Sequence, residues 1–366
     1  MSNYYNPVKI IKTKNWLHAL NSSIENLNIF SPIIVTSIGN RKRLRLDTIF
    51  DAESIFSDIG SNPNFEDCMN AVEFCKKNMF DGVIALGGGS AMDLAKVIMA
   101  HLCLEKSNIY ELIGYKDKFP QTIPSIFLPT THGTGSEVTM WGTIWNMGER
   151  KKYSISHQDL YPNVAILDGK LLLTLPLDIS ITTVLDALSH SFESIWNKNA
   201  NNKSTEYAIK AISIILQNIE GLKEDPYNAD IRNNLLEAST TSGLAFSNTK
   251  TAAAHSMSYP LTINYGIPHG IASSICLIPL LEFNRKLMQS SLEKICHSNS
   301  LTYKQLIGKI ESIPHGIIPY TLNKWGVKEH QIDELVNMAF ISERMDNNIK
   351  NLTKKDVKII FTSVFN

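Results

Sequence analysis

The sequence predicts an α/β domain built on a parallel sheet, followed by an all-helical domain. Three observations carry this reading. The 366 residues exceed the roughly 250 at which a single core usually stops growing, and 43% hydrophobic with 19% charged side chains is a globular composition. In the first half, short β-branched runs alternate with amphipathic stretches, the pattern of strands linked by crossover helices. Past Leu175-Pro176 every periodic stretch favours helix. The expected domains are therefore residues 1–176 and 177–366.

Taken in order, Ile33-Ile34-Val35-Thr36 reads as a buried strand, and residues 65–78 have helical spacing with Phe65, Met69, Val72 and Phe74 apolar. Gly82-Val83-Ile84-Ala85-Leu86 is a second strand, running into three glycines and then a helix over residues 91–104. Ser125-Ile126-Phe127-Leu128-Pro129 and Val164-Ala165-Ile166-Leu167-Asp168 are further strands. In such a sheet ligands bind at the carboxyl ends of the strands. The second half predicts helices over residues 179–196, 204–219, 231–248, 271–288 and 332–340 with no clear strand between them, and an Asn/Lys-rich turn over 197–203 that caps one helix and starts the next.

The 35 Lys+Arg offset the 35 Asp+Glu, which removes the broad basic footprint a nucleic-acid binder uses on phosphates. The longest apolar run, 271–281, is interrupted by Ser273 and Ser274 and falls short of the roughly 20 residues needed to cross a bilayer. Met1-Ser2-Asn3-Tyr4-Tyr5-Asn6 lacks the basic start and apolar stretch of a secretory signal. The five cysteines, at 68, 75, 103, 276 and 296, are scattered and never spaced as CxxC, so neither a disulfide framework nor a thiolate zinc site is expected. A reducing cytoplasm is the expected location.

Gly87-Gly88-Gly89-Ser90 follows a strand and opens a helix, so backbone N–H groups there face an anion without side-chain obstruction. This is a pyrophosphate cradle, or a tight turn that needs glycine for positive φ. The spacing is neither GxGxxG nor a Walker loop. A second loop, Pro129-Thr130-Thr131-His132-Gly133-Thr134-Gly135-Ser136-Glu137, also follows a strand. Two such loops on one sheet edge favour a long, phosphate-containing ligand such as a dinucleotide.

Asp186 and His190 stand at i and i+4 of an expected helix, which puts a carboxylate and an imidazole on one face. His255 and His269 flank a loop ending in Pro268-His269-Gly270. One Asp with three His is a nitrogen-rich set suited to Fe(II), Zn, Ni or Co rather than Mg or Ca. Each residue alone is also compatible with a satisfied core or surface group.

Together, Gly87 through Lys96, Pro129 through Thr139, Asp186-Ala187-Leu188-Ser189-His190 and Ala254-His255 through Pro268-His269-Gly270 resemble the iron-dependent (group III) alcohol dehydrogenases. That family's pattern is GGGSxxDxAK, PTTxGTGSE, DAxxH and two further His ligands ending in PHG, and here the motifs occur in order over most of the chain. Asn62-Pro63 resembles the family's adenosine-side PNP segment. Arg344 with Asn347-Asn348 resembles its R…NNPR stretch, although Ile349 and Lys350 stand where Pro and Arg are usual.

The resemblance implies a nucleotide-binding α/β domain and a helical domain, the fold shared with dehydroquinate synthase, with metal, nicotinamide and substrate in the cleft between them. It implies Fe(II), or Zn, Ni or Co, on Asp186, His190, His255 and His269, and NADH or NADPH as cofactor. Gly87, Gly88, Gly89, Ser90 and Asp93 would serve the pyrophosphate and its neighbourhood, Thr130, Thr131, Thr134 and Ser136 the nicotinamide side, and Lys152 and Leu171 its ribose. A small aldehyde or alcohol is the implied substrate, and a homodimer or higher homo-oligomer the implied assembly.

Three departures bear on function. Ser37 stands where many NAD-preferring relatives carry an Asp, and Arg41, Lys42 and Arg43 follow closely, an arrangement that either tolerates a 2′-phosphate or only solvates a loop. Tyr259 stands where many relatives have a His lining the pocket as a proton relay. His132 replaces the usual Ala of the second loop and is expected to put a titratable group at the pocket mouth. With residues 140–145, 152–157 and 193–201, these departures resemble the phosphonoacetaldehyde reductase branch, which makes 2-hydroxyethylphosphonate; His132, Lys198 and Tyr259 are the candidates for meeting a phosphonate. The expected activity is metal-dependent, NAD(P)H-linked reduction of a small anionic aldehyde, with Tyr259 and His132 as candidate catalytic residues. The alternatives are a short-chain alcohol dehydrogenase of butanol or lactaldehyde type, a dehydroquinate-synthase-like lyase, whose site would be richer in Lys and Arg, and a non-catalytic nucleotide-binding protein.

Overall fold

The structure, a computed structural model, describes residues 4–149, 151–340 and 342–366. They form two compact units: Asn6–Thr131 with Gly135–Leu172, and residues 4–5 with His132–Thr134 and Leu173–Asn366. The transfer of residues 4–5 and of the three-residue loop segment to the second unit is not foreseeable from composition.

The first unit carries strands β1 (Lys9–Lys12), β2 (Pro32–Thr36), β3 (Ile55–Phe56), β4 (Gly82–Gly87), β5 (Ser125–Pro129), β6 (Trp141–Asn146), β7 (Lys151–Ser156) and β8 (Val164–Leu167), and helices α1 (Trp16–Asn26), α2 (Ile38–Arg43), α3 (Phe65–Cys75), α4 (Gly89–Leu104) and α5 (Ile109–Gly114). Six strands form one parallel sheet in the order β1-β8-β5-β4-β2-β3, and β6 pairs antiparallel with β7. Ile33 to Val35, Val83 to Leu86 and Ile126 to Leu128 are fully buried, as continuous aliphatic runs must be in a sheet covered on both faces. Pairing of Thr36 with Leu86, and of Gly87 with Pro129, sets the carboxyl ends of β2, β4 and β5 side by side. Asn64 caps α3 in a reciprocal box with Asp67, which fixes its start. Strands β1, β3, β6 and β7 are absent from the sequence reading because they are short or mix polar and apolar residues on one run.

Cys68, Cys75 and Cys103 lie in this unit's core and Cys276 in that of the other; none of the five cysteines is in a disulfide. Burial pushes the Cys68 and Cys75 thiols up to about 12 and that of Cys103 up to about 11.

The second unit is helical: α6 (Leu177–Ile195), α7 (Asn202–Glu224), α8 (Ala229–Thr249), α9 (Ala253–Tyr265), α10 (His269–Ser274), α11 (Leu277–Asn284), α12 (Gln289–Ser298), α13 (Tyr303–Ser312), α14 (Ile332–Ala339), α15 (Ser342–Met345) and α16 (Lys354–Ser363). Helix α6 is at its centre, buried without a break from Val184 to Ile195 and packed by α7, α8, α9 and α10. A helix enclosed on all sides must satisfy its polar groups internally. Ser191 and Ser194 donate to carbonyls one turn back, and Ser189 donates to Ser273 O on α10. The expected helix over 271–288 is broken between α10 and α11. Pro279 has no N–H to give an interior turn, and the break puts it in the first turn of α11, where none is needed. Asn201, from the Asn/Lys-rich turn, caps α7 in a box with Ser204. Among the described residues no helix is long and apolar enough to cross a membrane.

Arg232 on α8 is fully buried without a carboxylate. Its guanidinium donates to Pro226 O, Leu175 O and the Ser180 hydroxyl, tying the start of α6 to the start of α8. Arg232→Met would leave one buried and two partly buried acceptors without this donor. It is expected to destabilise this unit by about 2–4 kcal/mol, read as an earlier urea midpoint in helical circular dichroism.

Candidate functional site

Asp186 and His190 project from one face of α6, His255 is the third residue of α9, and His269 the first of α10. Ligand atoms of Asp186, His255 and His269 all lie within 4.8 Å of one another. His255 Nε2 and His269 Nε2 stand 3.6 and 3.7 Å from Asp186 Oδ1, and His190 Nδ1 stands 3.9 Å from Asp186 Oδ2. The His190 ring is sandwiched between His255 and Phe246, with centroid separations of 4.4 and 4.1 Å. Asp186, His190 and His255 are buried, while His269 keeps 30% of its side chain exposed and leaves the cluster approachable. Gly270 permits this arrangement, since a Cβ there would sit 2.0 Å from Thr182 O and 3.2 Å from Asp186 Cβ.

Burial pushes the Asp186 carboxyl up, but the surrounding imidazoles of His190, His269 and His255 outweigh it and hold the group well below the usual carboxylate range. Burial holds His190 neutral, pushed down to about 4. Two buried nitrogens, His190 Nδ1 and His255 Nε2, have no hydrogen-bond partner, a costly arrangement unless something else accepts their lone pairs. One carboxylate and three imidazoles, without thiolate, fit a borderline divalent ion.

In the first unit, the two loops leave adjacent strands, with Thr130 N donating to Gly87 O. Gly88 is the N-cap of the 16-residue α4, with φ of −82° and ψ of −168°. No residue from 87 to 90 has positive φ, so the turn does not need glycine for that reason. Glycine serves close approach instead: a Cβ on Gly87 would lie 2.5 Å from Ala91 Cβ, and one on Gly88 would lie 3.0 Å from Thr131 Cγ2. Behind this turn, Asp93 accepts from Ser136 Oγ and Thr143 N, and buried Lys96 donates to Ser136, Thr139 and Trp141 O. Burial pushes the Lys96 ammonium down to about 8 against the opposing pull of Asp93 and Glu137.

Residues 7–169 match the family described as iron-containing alcohol dehydrogenase, and residues 180–365 match the Fe-containing alcohol dehydrogenase family, C-terminal. The chain belongs to the iron-containing alcohol dehydrogenase family. Its structure is similar to sulfoacetaldehyde reductase from Bifidobacterium kashiwanohense in complex with NAD+, with a TM-score of 0.91 and 28% identity, covering 100% of this chain and 98% of that one. In sequence it is 28% identical over 325 residues to long-chain-alcohol dehydrogenase 1 of Geobacillus thermodenitrificans, covering 85% of this chain and 82% of that protein. An aldehyde-alcohol dehydrogenase of Streptococcus pneumoniae serotype 4 is 32% identical over 250 residues, 63% of this chain but only 27% of that longer protein. As a member of this family the protein is an oxidoreductase of the alcohol dehydrogenase type.

Several residues of this alcohol dehydrogenase stand differently from expectation. His132 is not at an open pocket mouth: it is fully buried, both ring nitrogens lack partners, its backbone N–H donates to Thr183 Oγ1, and burial beside Arg232 pushes it down to about 3. It is a neutral imidazole, because side-chain exposure is set by tertiary packing that the loop motif does not encode. Lys198 donates to Asp346 O and Asn351 Oδ1 and so anchors the C-terminal segment. Tyr259 is half-buried on α9, one turn beyond His255. The Ser136 hydroxyl is buried between Asp93 and Lys96. Lys152 lies over the Trp145 ring, and Leu171 offers its carbonyl to Arg43. Ser90 Oγ donates to Ser61 O, while Thr131 and Thr134 are half-buried.

Glu193 is the residue the sequence reading missed as a site component. Its buried carboxylate lies 2.5 Å from His255 Nδ1. Its position seven residues after Asp186 and three after His190, on one helical face, is the signal that could have found it. Ser273 also escaped notice; its hydroxyl donates to Asp186 Oδ1 at 2.8 Å.

Two outcomes test this geometry. His255→Ala or His269→Ala is expected to weaken Co(II) binding more than about 100-fold in a folded protein and to abolish turnover, since each imidazole is one of few ligands. Gly88→Val is expected to raise the NADH dissociation constant at least about tenfold, because its side chain meets Thr131 and obstructs the bare N–H groups at the start of α4; fluorescence titration reads this directly.

Proposed function

We propose that the protein is a divalent-metal-dependent, NAD(H)-linked reductase of a small anionic aldehyde, with phosphonoacetaldehyde, giving 2-hydroxyethylphosphonate, as the foremost substrate. The observation that carries the metal reading is the convergence of Asp186, His255 and half-exposed His269, with His190 Nδ1 3.9 Å from Asp186 and two partnerless nitrogens, on His190 and His255. Bound, the ion supplies Lewis-acid polarisation of a carbonyl oxygen and the nicotinamide supplies hydride.

The chain's own residues do the rest. Asp186, ionised, and His190, His255 and His269 offer lone pairs to the ion. Gly87, Gly88, Gly89 and Ser90 keep the N-terminus of α4 clear for a pyrophosphate, with Thr130 and Thr131 beside it. Asp93 and Ser136 act from behind this surface, holding the second loop through Lys96, while Thr134, Lys152 and Leu171 serve the nicotinamide and its ribose. Tyr259 relays the proton that the product oxygen requires. His132, buried and neutral, contributes packing behind the second loop and not charge. Arg41 is held by Asp47, and Arg43 by Leu171 O and Asn40, which supports NADH over a cofactor carrying a 2′-phosphate. Ser37 caps α2.

The anionic substrate is supported by whole-chain similarity to a reductase named for sulfoacetaldehyde, a two-carbon aldehyde bearing a sulfonate. A second reading, reduction of uncharged alkyl aldehydes, is favoured by the neutrality of His132 and the anchored state of Lys198. Metal-reconstituted protein with NADH is expected to favour phosphonoacetaldehyde over acetaldehyde and propanal by at least about a hundredfold in kcat/KM. This corresponds to roughly 3 kcal/mol of charge-assisted contacts, expressed mainly in KM. NADPH is expected to be the poorer donor. Equal efficiency with alkyl aldehydes would replace the first reading by the second, and no metal-dependent turnover of any aldehyde would discard both.

A further inference from the structure

Helix α9 begins without a side-chain cap of its own, because its N-cap residue is Ala252. The orphan donors of its first turn are met from another helix. Glu193 Oε1 on α6 accepts from the His255 backbone N–H at 3.1 Å, and Glu193 Oε2 stands 2.5 Å from His255 Nδ1. Glu193 is completely buried, so its charge persists only because it is hydrogen-bonded on both oxygens. The far side of the same imidazole, Nε2, faces Asp186 Oδ1 at 3.6 Å and has no hydrogen-bond partner.

We infer that Glu193 is a positioning residue of the metal centre, one that fixes which nitrogen of His255 is protonated and where the other one stands. Accepting at Nδ1 makes that nitrogen the donor and leaves Nε2 with its lone pair toward Asp186. Accepting from the backbone at the start of α9 fixes the position of the residue that carries the ring. One helix therefore sets a carboxylate at each edge of the imidazole, through residues seven apart, with Glu193 bonded to Nδ1 and Asp186 3.6 Å from Nε2.

A carboxylate is required here, and an amide of the same shape is not equivalent. Each oxygen receives a separate N–H group. In Glu193→Gln one of them becomes a donor, so either the backbone bond is lost or an NH2 group faces Nδ1 and drives the proton to Nε2. The inference rests on the metal reading above, and its test separates the two.

Wild type, Glu193→Gln and His255→Ala are titrated with Co(II), following the visible absorption of the bound ion and its competition with a chelator; thermal unfolding and NADH affinity are measured alongside. Glu193→Gln is expected to bind Co(II) about 10–100-fold more weakly with an altered visible spectrum, while NADH affinity stays within about twofold. In metal-free wild type at alkaline pH, where no ion dictates the tautomer, a long-range 1H–15N spectrum of 15N-histidine protein, assigned with His255→Ala, is expected to find His255 protonated at Nδ1; this measurement decides the matter even if Glu193→Gln does not fold. Co(II) affinity of Glu193→Gln within threefold of wild type, or a His255 protonated at Nε2, overturns the role of Glu193. Absence of Co(II) binding by wild type overturns the metal reading itself.

Discussion

Glu193 meets the Nδ1 edge and the backbone N–H of His255, Asp186 stands 3.6 Å from the opposite edge of the same ring, and both carboxylates are out of water. Neither group is tolerable in a helical core unless it is paired. That requirement orders the unit around it. Helix α6 has to be central, because two of its side chains must be reached from α9 and α10. The starts of those helices have to point inward, since His255 lies in the first turn of one and His269 opens the other. Gly270 has to lack a side chain, because α10 comes to rest against the backbone of α6 at Thr182. The serines of α6 serve the same end: their hydroxyls are satisfied within the helix or by α10, and they are small enough to let neighbours close in.

The sheet unit solves a related problem with opposite chemistry. There a buried ammonium, Lys96, is surrounded by oxygens from the segment that follows the second loop, and Asp93 takes the Ser136 hydroxyl and the Thr143 amide. The network ties residues 136–143 to the first half of α4, one to two turns beyond the glycine turn that opens the helix. Residues of the GGGSxxDxAK pattern thus divide into those that stay bare at the surface of the turn and those that hold its neighbour in place.

How much was legible beforehand follows from what each feature depends on. Strands β2, β4, β5 and β8 are continuous aliphatic runs, and their burial follows from composition. Strand β3 is two residues long and β1 has two apolar residues between lysines, so both exist only because a neighbour supplies the pairing. The spacing of Asp186 and His190 was visible on the sequence, as was the Pro-His-Gly turn, but their convergence with His255 needed the fold. Glu193 sat in view at the next position of the same face and was passed over because a lone Glu in a helix is ordinarily solvated. His132, expected as a titratable group at the pocket mouth, is buried and neutral for the converse reason: a loop motif says which residues are consecutive, not which are covered.

The buried cysteines carry a consequence of another kind. Aldehydes are electrophiles, and thiolates add to them readily. With the thiols of Cys68 and Cys75 pushed up to about 12 by burial, they stay protonated at neutral pH. Cys276 is pushed up as well. The interior of this alcohol dehydrogenase thus keeps Cys68, Cys75 and Cys276 as thiols, which are poor nucleophiles toward a carbonyl compound.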